Sequence, residues 1–139
     1  MKGTVFFHSE DISFSLKKKS SITKWILSAV TKEKRKCDII NFVFCSDQFL
    51  LRLNIEYLKH DTLTDIITFD YSSREIQSDI FISIERVKEN AKKFNVSFEK
   101  ELHRVMIHGV LHLCGYKDKK ISEKKKIRVR EDYYLSLAE

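Results

Sequence analysis

The sequence predicts an α+β fold: a small, mixed four-stranded sheet packed with about five helices, with one apolar helix near the C-terminus at its centre. Two observations lead there. Short runs of β-branched and aromatic residues alternate with helix-length amphipathic stretches through the first two thirds of the chain, whereas the last third carries helical patterns alone. Helical crossovers between strands favour parallel neighbours.

The elements follow in order. Thr4–Phe7 is a short strand candidate. Ser20 or Ser21 caps a helix that runs to about Lys34, with Ile22, Trp25, Ile26 and Ala29 as its inward stripe. Asp38–Cys45, rich in β-branched and aromatic residues, is a strand buried at its centre. Ser46 or Asp47 caps a helix through Tyr57, whose core face carries Phe49, Leu50, Leu53 and Tyr57. Asp65–Tyr71 is a strand, and after the polar turn Ser72-Ser73-Arg74 so is Asp79–Ser83. Three helices complete the chain, over about Ile84–Phe94, Ser97–Cys114 and Ser122–Leu137. No repeat, linker or low-complexity tract interrupts the sequence and proline is absent, so residues 1–139 are expected to form one domain.

Composition narrows the class. Hydrophobic residues make up 42% and charged residues 33%, as in a soluble globular protein. The apolar runs are too short to span a bilayer or to form a signal-peptide core, so a cytoplasmic location is expected. Cys37, Cys45 and Cys114 are odd in number and follow no metal-pair spacing, which points to reduced core thiols. The net charge is +6, and eight Lys or Arg lie between Lys117 and Arg130. Such a surface attracts polyanions, nucleic acid among them.

The run His108-Gly-Val-Leu-His112-Leu-Cys-Gly115-Tyr-Lys-Asp118 carries the most chemistry. Two histidines four apart project from one face of a helix. Gly115 suits a helix stop, and the returning chain can bring Asp118 to the same point. Three protein ligands with an open fourth position match a catalytic zinc better than a structural one. The plain alternative is two core histidines satisfied by backbone carbonyls. It accounts for the pair but not for Gly115 and Asp118 at matching offsets. Peptidase zinc helices carry glutamate, their general base, where this chain has Gly109, and that argues against a peptidase. Gly109 is expected to serve close packing or access.

The pattern His108-Gly109-x-Leu111-His112-Leu113-x-Gly115-Tyr116 closely resembles the signature of the YbeY family of endoribonucleases, which are rRNA maturation factors. Leu53-Asn54, Asp61, Thr64-Asp65-Ile66-Ile67-Thr68-Phe69 and Asp79-Ile80 resemble further stretches of the same family, in the same order. The resemblance implies a metal-dependent endoribonuclease specific for single-stranded RNA, with zinc as its usual metal. It would act in maturation of the 3′ end of small-subunit rRNA and in ribosome quality control. Its partners would be rRNA and the small subunit or its assembly proteins, with a monomer favoured.

The ligands carry over to His108, His112 and Asp118, although the family's usual third ligand is histidine. A carboxylate is a competent zinc ligand but lowers the site's charge by one, making bound water less acidic. The arginine that family members commonly direct at RNA phosphate is Leu58 here, and the proline before Thr-Asp is Leu63. Lys59 or His60 is the expected substitute for that arginine, without its bidentate fork. Arg104, one turn before His108, is expected either to meet RNA or to orient a ligand, and Glu101 and Asp65 are further candidates for orientation. No catalytic group beyond metal-bound water is legible. His8 and His103 lack any comparable constellation. Two other functions compete: a non-catalytic ribosome-assembly factor with a structural metal, and, more remotely, a metallopeptidase.

Overall fold

Alternation with a period of two builds the sheet. In the computed structural model, which describes residues 2–138, four strands lie in the order β1-β2-β4-β3: β1 (Thr4–Ser9), β2 (Cys37–Cys45), β3 (Ile66–Asp70) and β4 (Ile76–Ser83). Both β1 and β4 run parallel to β2, and β3 pairs antiparallel with β4. Five helices accompany them: α1 (Lys19–Lys32), α2 (Asp47–Leu58), α3 (Ile84–Lys93), α4 (Phe98–Leu113) and α5 (Ile121–Leu137). This is the mixed four-stranded α+β architecture that the sequence predicts. Among the described residues, no helix is long and apolar enough to cross a membrane.

The two faces of the sheet bury different sets of side chains. Ile40, Phe42 and Phe44 of β2, with Ile76, Ile80 and Ile82 of β4, join the main core beside α1 and α4. The intervening positions face α2: Cys45, Leu50 and Ile67 form a second, smaller cluster with Phe49, Leu53, Phe69 and Phe81 against it. Cross-strand partners such as Ile67 and Phe81 hold the register, since a slip of one residue would exchange the two faces.

Several details differ from the sequence reading. α1 begins at Lys19, with Lys18 as its N-cap in the left-handed region (φ 57°), so Ser20 and Ser21 lie inside the first turn and cap nothing. The cause is tertiary: Leu16 is buried in the core, and the chain turns sharply from it into the helix. β4 starts at Ile76 rather than Asp79, because Ile76 is fully buried and pairs with Cys37. Tyr57, expected on the core face of α2, is 59% exposed and meets Phe69 edge-on. The buried line of α2 runs instead through Leu50 and Asn54. Asn54 Nδ2 donates to the Thr62 carbonyl at 2.9 Å, which ties down the loop between α2 and β3.

α4 sits at the centre, and Gly109 sets how closely it lies on the sheet. A Cβ built there would come within 2.8 Å of Ile66 Cδ1 on β3 and 3.3 Å of Ile80 Cγ2 on β4. The glycine thus serves packing rather than access. Gly109→Val should destabilise the protein by about 1–3 kcal/mol through overpacking. Urea denaturation measures this, and an unchanged midpoint would remove the close-packing role.

Candidate metal centre

α4 is built to hold two imidazoles at the margin of the core. Ser97 caps it, its hydroxyl accepting from the Lys100 N–H at 3.1 Å. Leu102, Val105, Met106, Ile107, Val110 and Leu111 are all buried and fix the rotation of the helix. His108 and His112 emerge at its edge, with side chains 23% and 30% exposed. The helix ends in a Schellman arrangement: the Tyr116 N–H donates to the Leu111 carbonyl and the Gly115 N–H to the His112 carbonyl, both at 3.0 Å. Gly115 takes φ 106°, which L side chains rarely adopt. The reversed chain then delivers Asp118.

Hydrogen bonds decide which imidazole nitrogens face the site. His112 Nδ1 donates to the Tyr116 carbonyl at 2.8 Å, and His108 Nδ1 donates to the Glu131 carboxylate at 2.6 Å. Both partners accept, so each neutral ring keeps its lone pair on Nε2. The two Nε2 atoms lie 2.9 Å apart, and Asp118 Oδ2 is 3.2 Å from one and 3.3 Å from the other. A tetrahedral zinc with bonds of about 2.0–2.2 Å separates its ligands by roughly 3.3–3.6 Å, so the triangle needs to open by only a few tenths of an ångström. Two lone pairs and a carboxylate facing one another repel unless a cation lies among them. Among the described residues, this is the one group of three or more such side chains whose donor atoms all lie within 4.8 Å of one another. The donor set fits a divalent metal.

Glu131 is the residue that sequence reasoning missed. It is buried on α5, and Arg104 Nη1 donates to it at 2.9 Å while Arg104 Nη2 reaches Asp132 at 2.7 Å. The chain Arg104–Glu131–His108 is the carboxylate–histidine support that metal sites use to hold a ligand ring. Burial opposes charge on His108, yet the hydrogen bond and charge of Glu131, with Asp118 and Asp65, raise its proton affinity above that of an ordinary imidazole. Nothing local connects Glu131 to His108, 23 residues earlier. The usable signal was a glutamate inside the buried stripe Ile127, Glu131, Tyr134 of α5. The Arg104 guanidinium, expected to meet RNA or to orient a ligand, pairs with Glu131 and Asp132 and also lines a cleft.

Two clefts flank the triad. One lies toward α2, with Leu58, His60 and Asp65 in its wall together with His108, His112 and Asp118. The other lies between α3, α4 and α5. Asp65 lines both, and burial pushes its carboxyl up more than His108 lowers it. His60 therefore stands beside the triad, whereas Lys59, the C-cap of α2 at φ 59°, is exposed outside the cleft lining. His8 pairs with Asn41 on the sheet surface and His103 lies against Trp25, both away from the triad. Burial pushes the thiols of Cys37 and Cys114 up to about 11 and that of Cys45 to about 12, and none joins the site.

The turn that carries Asp118 is anchored from behind. Tyr116 Oη donates to Glu33, the C-cap of α1, at 2.8 Å, and Glu33 also accepts from Arg130 at 2.6 Å and from Tyr134. Burial works against the Glu33 anion, but these three donors outweigh it and lower its carboxyl below the usual range.

The family model described as Endoribonuclease YbeY matches residues 4–139. The chain belongs to the YbeY endoribonuclease family. A YbeY relative from Flavobacterium psychrophilum is 52% identical over 128 residues, covering 91% of each chain. One from Flavobacterium johnsoniae is 48% identical, over 91% of this chain and 92% of its own. Among solved structures, a solution structure of a Thermotoga maritima protein aligns with a TM-score of 0.67 at 27% identity, covering 95% of this chain and 87% of the other. The YbeY resemblance carried by His108–Tyr116, Leu53–Phe69 and Asp79-Ile80 is thereby established for the chain as a whole.

Two outcomes are expected from this geometry. Glu131→Gln should weaken metal binding by roughly 10–100-fold, as read by competition with a chromophoric chelator. An unchanged affinity would detach Glu131 from the site. For Glu33, a folded-state pKa below the unfolded one stabilises the protein above the unfolded value of about 4.5, and this contribution disappears as pH falls through the folded value. The stability gap between wild type and Glu33→Gln should therefore close at acid pH, and a gap independent of pH would contradict the pairing.

Proposed function

We propose that His108, His112 and Asp118 bind zinc and that the chain is a metal-dependent endoribonuclease cutting single-stranded RNA. Membership of the family supports the hydrolase and nuclease chemistry. The observation that carries the assignment to a site is the convergence of three donor atoms between two open clefts. The physiological role that fits is maturation of the 3′ end of small-subunit rRNA and ribosome quality control. rRNA and the small subunit or its assembly proteins would be the partners, and residues 1–139 would act as one cytoplasmic domain, a monomer.

A divalent ion bound at the triad supplies positive charge for phosphoryl oxygens and makes water more acidic. The residues around it do the positioning. Glu131 holds the Nδ1 proton of His108, Arg104 holds Glu131, and Gly115 with Tyr116 fixes His112 and brings Asp118 into place. Asp65, raised by burial and facing both clefts, is suited to hold or pass a proton beside the scissile phosphate. His60 offers a cleft-side hydrogen-bonding group, and Lys59 draws RNA from farther out. The glutamate base of peptidases has no room at Gly109, whose missing Cβ is already occupied by Ile66 and Ile80.

Leu58 favours a second reading. It lines the cleft where the family commonly directs an arginine at phosphate, which suits an assembly factor that binds RNA without cutting it. Cleavage of an rRNA 3′-precursor by the zinc-loaded protein separates the two. Asp118→Ala should lose metal affinity by at least roughly 100-fold, and His108→Ala should lose cleavage with it. A folded His108→Ala protein that still supports rRNA processing would refute the enzyme. End-group analysis then assigns the nucleophile: a cyclic or 3′-phosphate marks the 2′-hydroxyl route, and a 3′-hydroxyl excludes it.

A further inference from the structure

We propose that the cleft between α3, α4 and α5 is a base pocket, in which the Glu101 carboxylate accepts hydrogen bonds from a guanine of single-stranded RNA lying across the metal centre. This rests on the RNA-cleaving reading of that centre.

Glu101 lies one turn before Arg104 on α4 and is 6% exposed. Glu131 is buried to a similar degree, but Arg104 and His108 occupy both of its oxygens. No hydrogen bond or ion pair among the described residues engages the Glu101 carboxylate, and its oxygens open onto the cleft that it lines. The carboxylate oxygens meet only solvent in the cleft, so a ligand bearing N–H donors can take the place of that water. A metal ion is the poorer match, because Glu101 belongs to no cluster of donor atoms close enough to share one. Burial pushes its carboxyl up, helped by the charge of Asp65 and opposed by Arg104 and Arg128, and donors arriving from a ligand would lower it.

The rest of the wall suits RNA. Phe94 is 55% exposed and Ile121 76% exposed, leaving apolar surface in the cleft on which a base can stack. Lys124, Lys125 and Arg128 line the same space and offer charge to phosphates. The cleft measures about 570 Å³, within the usual range of about 300–1,000 Å³ for ligand sites. His108 and Asp118 form part of its wall, so a base held here lies next to the reacting phosphate.

Guanine is the base whose edge fits. Its N1–H and N2–H₂ groups present adjacent donors to the two oxygens of a carboxylate. Adenine presents one donor beside one acceptor, cytosine one donor beside two acceptors, and uracil one donor between two acceptors.

The test is fluorescence anisotropy of the zinc-loaded protein with labelled pentaribonucleotides that differ only in the central base. UUGUU, UUIUU, UUAUU and UUUUU are compared in the cold, with RNA integrity checked on gels. Inosine lacks only the 2-amino group. Guanosine RNA should bind roughly tenfold tighter than inosine RNA, and Glu101→Gln should bring the two within about twofold. Equal affinities in the wild type, a guanosine preference that persists in Glu101→Gln, or no binding of any oligonucleotide would overturn the proposal. Cleavage of a long unstructured RNA is followed in parallel. Guanosine preference without cleavage supports the base pocket while removing the nuclease reading, so the two failures are distinguishable.

Discussion

The packing of α4 on the sheet is the constraint from which the site follows. Gly109 lets the helix come down onto Ile66 and Ile80, and six buried apolar side chains fix its rotation. That rotation leaves His108 and His112 at the margin of the core, out of bulk water yet open to two clefts. Interiors are close-packed and tolerate little shift, so a change in how α4 seats is felt at the imidazoles. Ile66 makes the link concrete: it fills the space that Gly109 leaves, and it follows Asp65, which lines both clefts.

α5 acts as the clamp. Trp25 Nε1 donates to the Tyr134 carbonyl at 2.8 Å, tying α5 to α1, while Glu33 gathers Tyr116, Arg130 and Tyr134 at the back of the turn. On the front, Glu131 reaches His108 and is itself held by Arg104. Buried charges are costly unless each is paired, and here the pairing also does the positioning. Glu101 stands apart: among the described residues nothing hydrogen-bonds its carboxylate, and Arg104 and Arg128 act on it through charge alone.

Of the two departures from the family pattern, Leu58 lies in the cleft toward α2, whereas Asp118 borders both clefts. Asp118 brings a carboxylate to a place where histidine is usual, and the donor geometry accepts it. Leu58 puts an apolar side chain in the cleft toward α2, which His60 also lines. Both differences leave the residues around the site less positive than the usual family pattern. The basic residues of α5, on the opposite cleft, supply charge from the other direction.

Much of this molecule was legible in its residues. The strands, the five helices, the mixed sheet and the convergence of His108, His112 and Asp118 were readable because each rests on local periodicity or short spacing: period two for Asp38–Cys45, and i, i+4, then Gly115, for α4. Tertiary structure decided what spacing cannot encode. It started α1 at Lys19, exposed Tyr57 while enclosing Asn54, and paired Arg104 with Glu131. The sequence by itself determined which side chains could hold a metal. Only the tertiary structure decided which nitrogens they present and which carboxylate is left free, because those depend on partners distant in the chain whose hydrogen bonds exist only once α4 and α5 are packed together.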